Sequence, residues 1–166
     1  MRIAITGHRP QKLNNEWDGV GPCSDYIRSC ITRVFELNPP TLIISGMALG
    51  VDMIFAEMAI ERNLPLLAVI PCPNQECRWP PNSRHRYDKI MSYKKCTRCQ
   101  VSSNYSTFAM QKRNIYMVNH CDLLIGMFDG TKGGTYNCLQ YAKTKKTRLL
   151  LFNPMDFKEP EQGFDV

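Results

Sequence analysis

The chain has 166 residues, 43% of them apolar, enough for one domain with a core built around a sheet. Its formal charge of +6 suits an anionic partner such as a nucleotide, a phosphosugar or nucleic acid, without choosing among them. The opening apolar run in MRIAITGHRP is too short for a secretory core, and no stretch approaches the roughly 18 apolar residues of a membrane span, so the reading is cytoplasmic with no membrane partner.

Taken in order, the chain starts with a strand from Arg2 to Thr6. A helix follows from Cys23 to Leu37, with Ser24 or Asp25 as N-cap and Asn38-Pro39-Pro40 as its stop. A second strand covers Thr41 to Ser45. In GVDMIFAEMAIER, the residues Val51, Ile54, Phe55, Met58 and Ala59 keep the spacing of a one-faced helix, with Glu57, Glu61 and Arg62 opposite. Strands are expected at Leu66 to Pro71 and Gln100 to Ser102, separated by an irregular piece, Cys72 to Ser83, long enough to be a lid or binding loop. A helix from Thr107 to Asn119, a strand from Asp122 to Met127, a helix from Thr135 to Lys145 and a strand from Arg148 to Phe152 complete the series. This alternation predicts an α/β domain over 1–153, a Rossmann-like three-layer sandwich with a mainly parallel central sheet, and an irregular tail over 154–166.

In such a sheet, ligands bind beyond the carboxyl ends of the strands, and the unusual residues fall there. Gly7, His8 and Arg9 follow the first strand, and SGMALGVD, with Ser45, Gly46, Gly50 and Asp52, follows the second. The long loop brings Gln75 and Trp79, the fourth strand leads to Asn104 and Tyr105, and FDGTKGGT after the fifth brings Asp129, Gly130, Gly133, Gly134 and Thr135. Gly133, Gly134 and Thr135 at a helix start either make a tight turn or offer N–H groups and a hydroxyl to a phosphate on the positive end of the helix dipole. Asp52 either caps its helix or accepts ribose hydroxyls. Arg113 reaches the same crevice or sits on a solvated face beside Lys112, and Trp79 and Tyr87 stack on a base or seal the core edge. The cluster of Lys143, Lys145, Lys146 and Arg148 reads as a solvated helix end. Neither glycine loop is a Walker or G-x-G-x-x-G motif, and no cofactor is expected.

Cys72, Cys77, Cys96 and Cys99 have spacings compatible with a zinc ribbon. Only the last two have knuckle spacing, and the intervening residues are rich in Arg84, His85, Arg86 and Tyr87, so scattered reduced thiols are favoured over a metal site.

At these residues the sequence resembles the SLOG superfamily, and most closely its YpsA-like branch. The matching pieces are Thr6 to Pro10, Ser45 to Asp52, Pro71 through Gln75 to Trp79, Met110 through Arg113 and Asn114 to Val118, and Asp129 to Thr135. They run in unbroken order across Ile3 to Asn153. The resemblance implies a Rossmann-like domain that binds nucleotides or nucleotide-derived ligands, commonly as a homo-oligomer. The superfamily includes Lonely-guy phosphoribohydrolases, whose MxxRK and PGGxGTxxE motifs supply an arginine and a glutamate. Met110 and Arg113 match the first motif, and Gly134 and Thr135 match part of the second, but Tyr136, Asn137 and Cys138 stand where the acid is expected. The superfamily also includes the DNA-processing protein DprA, yet this chain lacks the alternation of aromatic and basic residues typical of a single-strand platform.

The sequence therefore points to binding, as sensor or sequestering protein, of an adenine nucleotide, an ADP-ribose-like compound or a related signal, without catalysis. Gly46, Gly50, Gly133, Gly134 and Thr135 are expected to hold phosphate, Asp52 the ribose, and Arg9 and Arg113 the remaining charge. The alternatives are an N-glycosidase or phosphoribohydrolase whose acid is Asp52, Asp129 or Glu57, and a DNA-binding module.

Overall fold

The computed structural model describes residues 1–158. Six strands, β1 (Arg2–Gly7), β2 (Leu42–Ser45), β3 (Leu66–Ile70), β4 (Cys96–Gln100), β5 (Leu123–Met127) and β6 (Arg148–Phe152), form one sheet in the order β4-β3-β2-β1-β5-β6. Every pairing is parallel. The helices between them are α1 (Pro22–Leu37), α2 (Val51–Glu61), α3 (Pro81–Met91), α4 (Thr107–His120) and α5 (Gly134–Thr144). The expected Rossmann-like α/β layout is present, with most element ends within a residue or two of those expected.

Successive side chains of a strand point to opposite faces, and the apolar strand residues divide accordingly. Ile3, Ile5, Ile43, Leu66, Ala68, Ile70, Leu123, Ile125 and Met127 join one core with α1, α2 and α3. Ala4, Ile44, Val69 and Leu124 join a second core with α4 and α5. The sheet is thus the middle of three layers, and both of its faces are dry.

Several local expectations need correction. The fourth strand is Cys96–Gln100, earlier than Gln100 to Ser102, because this edge strand exposes Thr97, Arg98 and Gln100 and shows no apolar alternation. The irregular piece ends at Pro80, where α3 begins with Pro81 at its first position; Ser83, Tyr87 and Ile90 supply its buried face. α2 is not one-faced, since Met53 and Ala56 are also buried and Glu57 is its outlet to Arg28 and Arg86. Asp156–Lys158 form a single 3-10 turn, with Met155 and Phe157 against the larger core, while 159–166 lie outside the described residues.

α1 is capped by a residue from a preceding turn rather than by Ser24 or Asp25. Glu16 accepts from Cys23 N at 3.0 Å, from Ser24 N at 2.6 Å and from the Ser24 hydroxyl at 2.8 Å. A carboxylate at that end satisfies two orphan amides and complements the dipole. Glu16→Ala is expected to cost about 1–2 kcal/mol in urea unfolding, the range of a lost N-cap, without altering the helical circular-dichroism spectrum.

Candidate functional site

Strand order reverses between β1 and β5, because from β1 the chain builds β2, β3 and β4 on one side and returns to place β5 and β6 on the other. Connections leave that point toward opposite faces and open a crevice above the carboxyl ends of the two strands. A cavity of about 490 Å³ lies there, a volume typical of small-ligand sites. Thr6, Gly7, His8, Arg9, Gln11 and Lys12 line it from the end of β1 and the following turn, Ala48 from the turn before α2, Asp52 from the first turn of α2, and Tyr105 from the loop before α4. Thr107, Met110, Arg113 and Asn114 come from α4, and Gly133, Gly134 and Thr135 from the start of α5.

Of the residues expected at the site, Gly7, His8, Arg9, Asp52, Arg113, Gly133, Gly134 and Thr135 meet at this cavity. Ser45, Gly46, Gly50, Gln75, Trp79, Asp129 and Gly130 stand outside its wall. Most of these support the residues that line it. The Ser45 hydroxyl donates to the Asp52 carbonyl at 2.8 Å and accepts from Met47 N at 3.2 Å. Gln75 Nε2 donates to the Met47 carbonyl at 3.2 Å. Gly50 has φ +92°, and a Cβ there would lie 2.4 Å from the His8 carbonyl, so glycine lets the second loop press against the first. Trp79 meets Tyr87 edge to face with centroids 5.4 Å apart and packs against the larger core.

The floor holds two buried opposite charges. Asp52 is 4% exposed and Arg113 is 8% exposed. Asp52 Oδ2 accepts from Ala48 N at 3.2 Å, and Arg113 donates to the Gly46 carbonyl at 3.3 Å and to Asn114 Oδ1 at 3.2 Å. Gly46 lies between them: a Cβ there would be 2.8 Å from Asp52 Oδ2 and 2.9 Å from Arg113 Nε. Burial pushes the Asp52 carboxyl upward from its ordinary pKa, against the pull of Arg113 and the Ala48 amide. Burial likewise pushes the Arg113 guanidinium downward, against the pull of Asp52.

A second polar couple sits beside the rim. His8 Nε2 is 3.1 Å from the Asp129 amide nitrogen and 2.8 Å from Asp129 Oδ1. Burial lowers the His8 pKa more than the neighbouring Asp129 raises it. Burial alone would raise the Asp129 pKa, but the Thr131 amide and hydroxyl, donating at 3.0 Å and 2.6 Å, hold it down at about 2. Lys12 Nζ donates to the same Thr131 hydroxyl.

The other end of the cavity is formed by the start of α5. Gly133, φ +155°, precedes α5 and offers no capping side chain, so the first-turn amides face the opening. No atom lies within 4 Å of where a Cβ of Gly133 or Gly134 would be. The Thr135 side chain is 8% exposed, and its hydroxyl has no hydrogen-bond partner among the described residues. Arg9 is exposed at the rim and acts through space on both buried charges. Three cations, Arg9, Lys12 and Arg113, against one carboxylate, Asp52, give the lining a positive balance.

The sequence of this site and the fold agree with a known family. The sequence model of the YspA SLOG family matches residues 3–156. The chain belongs to the YspA SLOG family. It is 31% identical over 135 residues to the uncharacterized SPbeta prophage-derived protein YoqJ of Bacillus subtilis strain 168, covering 72% of this chain and 79% of that one. DNA processing protein A of Streptococcus pneumoniae has a similar fold, with TM-score 0.64, 15% identity, 90% of this chain and 49% of that chain covered. The chain thus spans about half the length of that structure. The protein of the same name from Helicobacter pylori, described by its single-stranded DNA binding mode, gives TM-score 0.62 at 20% identity over 91% of this chain and 64% of that one. TM1055, a structural-genomics target, gives TM-score 0.57 at 13% identity over 89% and 71%.

Sequence reasoning did not pick out Gln11 and Lys12, and it named Asn114 only within a family motif, without a role at the site. Asn114 carried a usable signal, being an amide in mid-helix, where it competes with the backbone unless it has a partner such as Arg113. Cys96 and Cys99 are three apart on β4 and face opposite sides, Cys96 toward the larger core and Cys99 toward Tyr116 of α4. Among the described residues no three His, Cys, Asp or Glu side chains converge on a metal position, and no helix is long and apolar enough to cross a membrane.

Two outcomes follow from the buried charges. Arg113→Met leaves Asp52 with the Ala48 amide but no buried opposing charge and is expected to cost about 3 kcal/mol at pH 7. The loss shrinks as pH falls and Asp52 protonates, which urea unfolding at pH 7 and pH 5 would reveal. The Asp129 pKa is depressed from 3.8 to about 2, so its stabilisation is present above 3.8 and lost as pH falls through about 2. Asp129→Asn should therefore flatten the acid limb of the stability profile relative to the parent in that window.

Proposed function

We propose that the cavity binds the phosphate and ribose of a nucleotide or nucleotide-derived ligand, and that the protein senses or sequesters this ligand without turning it over. One observation carries the reading: the uncapped start of α5, the unpartnered Thr135 hydroxyl and the Arg113 guanidinium line the same cavity at the switch point of the sheet. Backbone amides at a helix start suit a phosphate, and charge-assisted bonds from Arg9 and Arg113 add to them. Asp52 is the carboxylate in the lining suited to ribose hydroxyls.

The case against turnover rests on where the acids are. Cys138, fully buried on α5, stands where the PGGxGTxxE motif of a phosphoribohydrolase of the superfamily would carry its glutamate. Of the three possible substitutes, Glu57 is bound by Arg28 and Arg86 on the far side of α2, and Asp129 is bound by Thr131 outside the wall. Asp52 remains, and its desolvated carboxyl lies 2.8 Å from where a Gly46 Cβ would be, on the cavity floor. An N-glycosidase reading therefore predicts that Asp52→Asn abolishes turnover of a nucleoside monophosphate followed by chromatography. Equal turnover in parent and variant would exclude Asp52 as the catalytic acid.

The direct test of the binding reading is Gly134→Val, assayed by calorimetry against nucleoside monophosphates and ADP-ribose. Gly134 has no positive φ and open space where a Cβ would be, so the variant folds and its side chain occupies the phosphate position. The expected result is at least a roughly 100-fold loss of affinity, the scale of two lost charge-assisted hydrogen bonds, with an unchanged unfolding midpoint. Unchanged affinity would refute the phosphate role.

The fold shared with the DNA-processing proteins supports a second reading, binding of single-stranded DNA from the cavity rim, where Tyr105 is 72% exposed, along the neighbouring groove, where Phe108 is 73% exposed. That reading predicts oligonucleotide affinity falling with salt at a log–log slope of about −0.7 per phosphate neutralised. No oligonucleotide binding at low salt would dismiss it.

A further inference from the structure

Beside the cavity, the two helices of the thinner core leave a groove of about 740 Å³. Thr107, Met110, Asn114, Gly133 and Gly134 line both spaces, so the start of α5 is a shelf between them. The two halves differ in chemistry. The cavity has Arg9, Lys12, Arg113 and Asp52, whereas no side chain lining the groove is charged. The groove offers the amides of Gln111, Asn137 and Gln140, and the aromatic rings of Phe108 and Tyr141. At its far end the Tyr141 hydroxyl donates to Asn119 Oδ1 at 3.1 Å and ties α5 to α4.

We propose that this groove is a second subsite, for a nucleobase, and that the ligand is a dinucleotide: two nucleosides joined through phosphate, with the phosphate on the Gly133–Gly134 shelf. The proposal rests on the phosphate role assigned to the cavity above. Neutral amide donors and acceptors beside aromatic faces match the edge and the face of a base, which is flat, uncharged and polar at its rim. Neither the shelf nor the groove stands alone. Thr135, a residue 8% exposed whose hydroxyl has no hydrogen-bond partner among the described residues, lines the phosphate side of the same shelf. The groove also limits the length of the ligand, because the further phosphates of a polymeric strand would meet no charged lining side chain and only Lys145 beside it, its Nζ 5.6 Å from the Tyr141 ring centroid, while single-strand binders track the backbone with a continuous positive groove.

The test compares AMP and GMP with adenylyl-adenosine, guanylyl-guanosine and pyrophosphate-linked diadenosine as titrants of the parent chain, Phe108→Ala, Gln140→Leu and Gly134→Val. Phe108 and Gln140 are exposed, so those variants fold. The expected result is a dinucleotide bound at least about tenfold tighter than the mononucleotide of the same base, the lower range of a stacked base. Phe108→Ala or Gln140→Leu should remove that excess and leave mononucleotide affinity unchanged, while Gly134→Val weakens both classes. Equal affinity for mononucleotides and dinucleotides would overturn the second subsite and leave the phosphate site standing. No binding of either class, or binding untouched by Gly134→Val, would overturn the phosphate site itself. Affinity that keeps rising with longer oligonucleotides would replace the dinucleotide with a nucleic-acid strand. A dimer in sedimentation that Phe108→Ala dissociates would assign the groove to a second copy of the chain.

Discussion

The parallel pairing of β1 with β5 is the constraint from which the site follows. Five register pairs, from Ile3 with Leu123 to Gly7 with Met127, align the carboxyl ends of two strands whose onward connections diverge. The first connection runs to α1 on one face, and the second runs to α5 on the other. No loop can bridge that divergence, so a crevice opens above the pair. It collects the turn after β1, the start of α2 and the starts of α4 and α5. The alternating apolar residues that make both faces of the sheet dry fix this register, since a slip of one residue would invert every side chain.

Onto this frame the chain places polar groups that folding alone does not favour. Burying a carboxylate and a guanidinium costs several kcal/mol per ion unless other contacts offset it. Here the offset is partial: Asp52 has one amide, and Arg113 has one carbonyl and a neighbouring amide side chain. Neither ion is fully coordinated by protein, and Thr135 adds a hydroxyl without a partner. A ligand that brings phosphate to Arg113 and hydroxyls to Asp52 would complete both shells at once. Gly46 keeps the two ions close without direct contact, which leaves their remaining hydrogen-bonding capacity toward the cavity.

The legible parts of the sequence were those with strong local patterns. Strands that are dry on both faces, such as LLIGM in β5, read as continuous apolar runs, and the glycine loop after β2 announced close approach of backbone. β4 was misplaced because CTRCQ is an edge strand whose partners, not its own residues, make it a strand. α3 was missed because PNSRHRYDKIM buries only Ser83, Tyr87 and Ile90, too few to stand out among charges. At the site, local sequence could not separate lining from support. Gly50 and Gly134 look alike in a string of letters, yet one has the His8 carbonyl 2.4 Å from its missing Cβ and the other has open space. Long-range effects such as the Glu16 cap of α1 depend on the path of the chain and leave no periodic trace.

On the function proposed above, the cavity holds a phosphorylated nucleoside intact. The most direct measurement is to incubate purified protein with nucleoside monophosphates, ADP-ribose and dinucleotides, remove free ligand, denature the protein and identify the released species by chromatography. The expected result is recovery of an unaltered phosphorylated ligand from the parent chain and none from Gly134→Val. Recovery of free base together with sugar phosphate would contradict it, as would equal amounts of ligand from parent and variant.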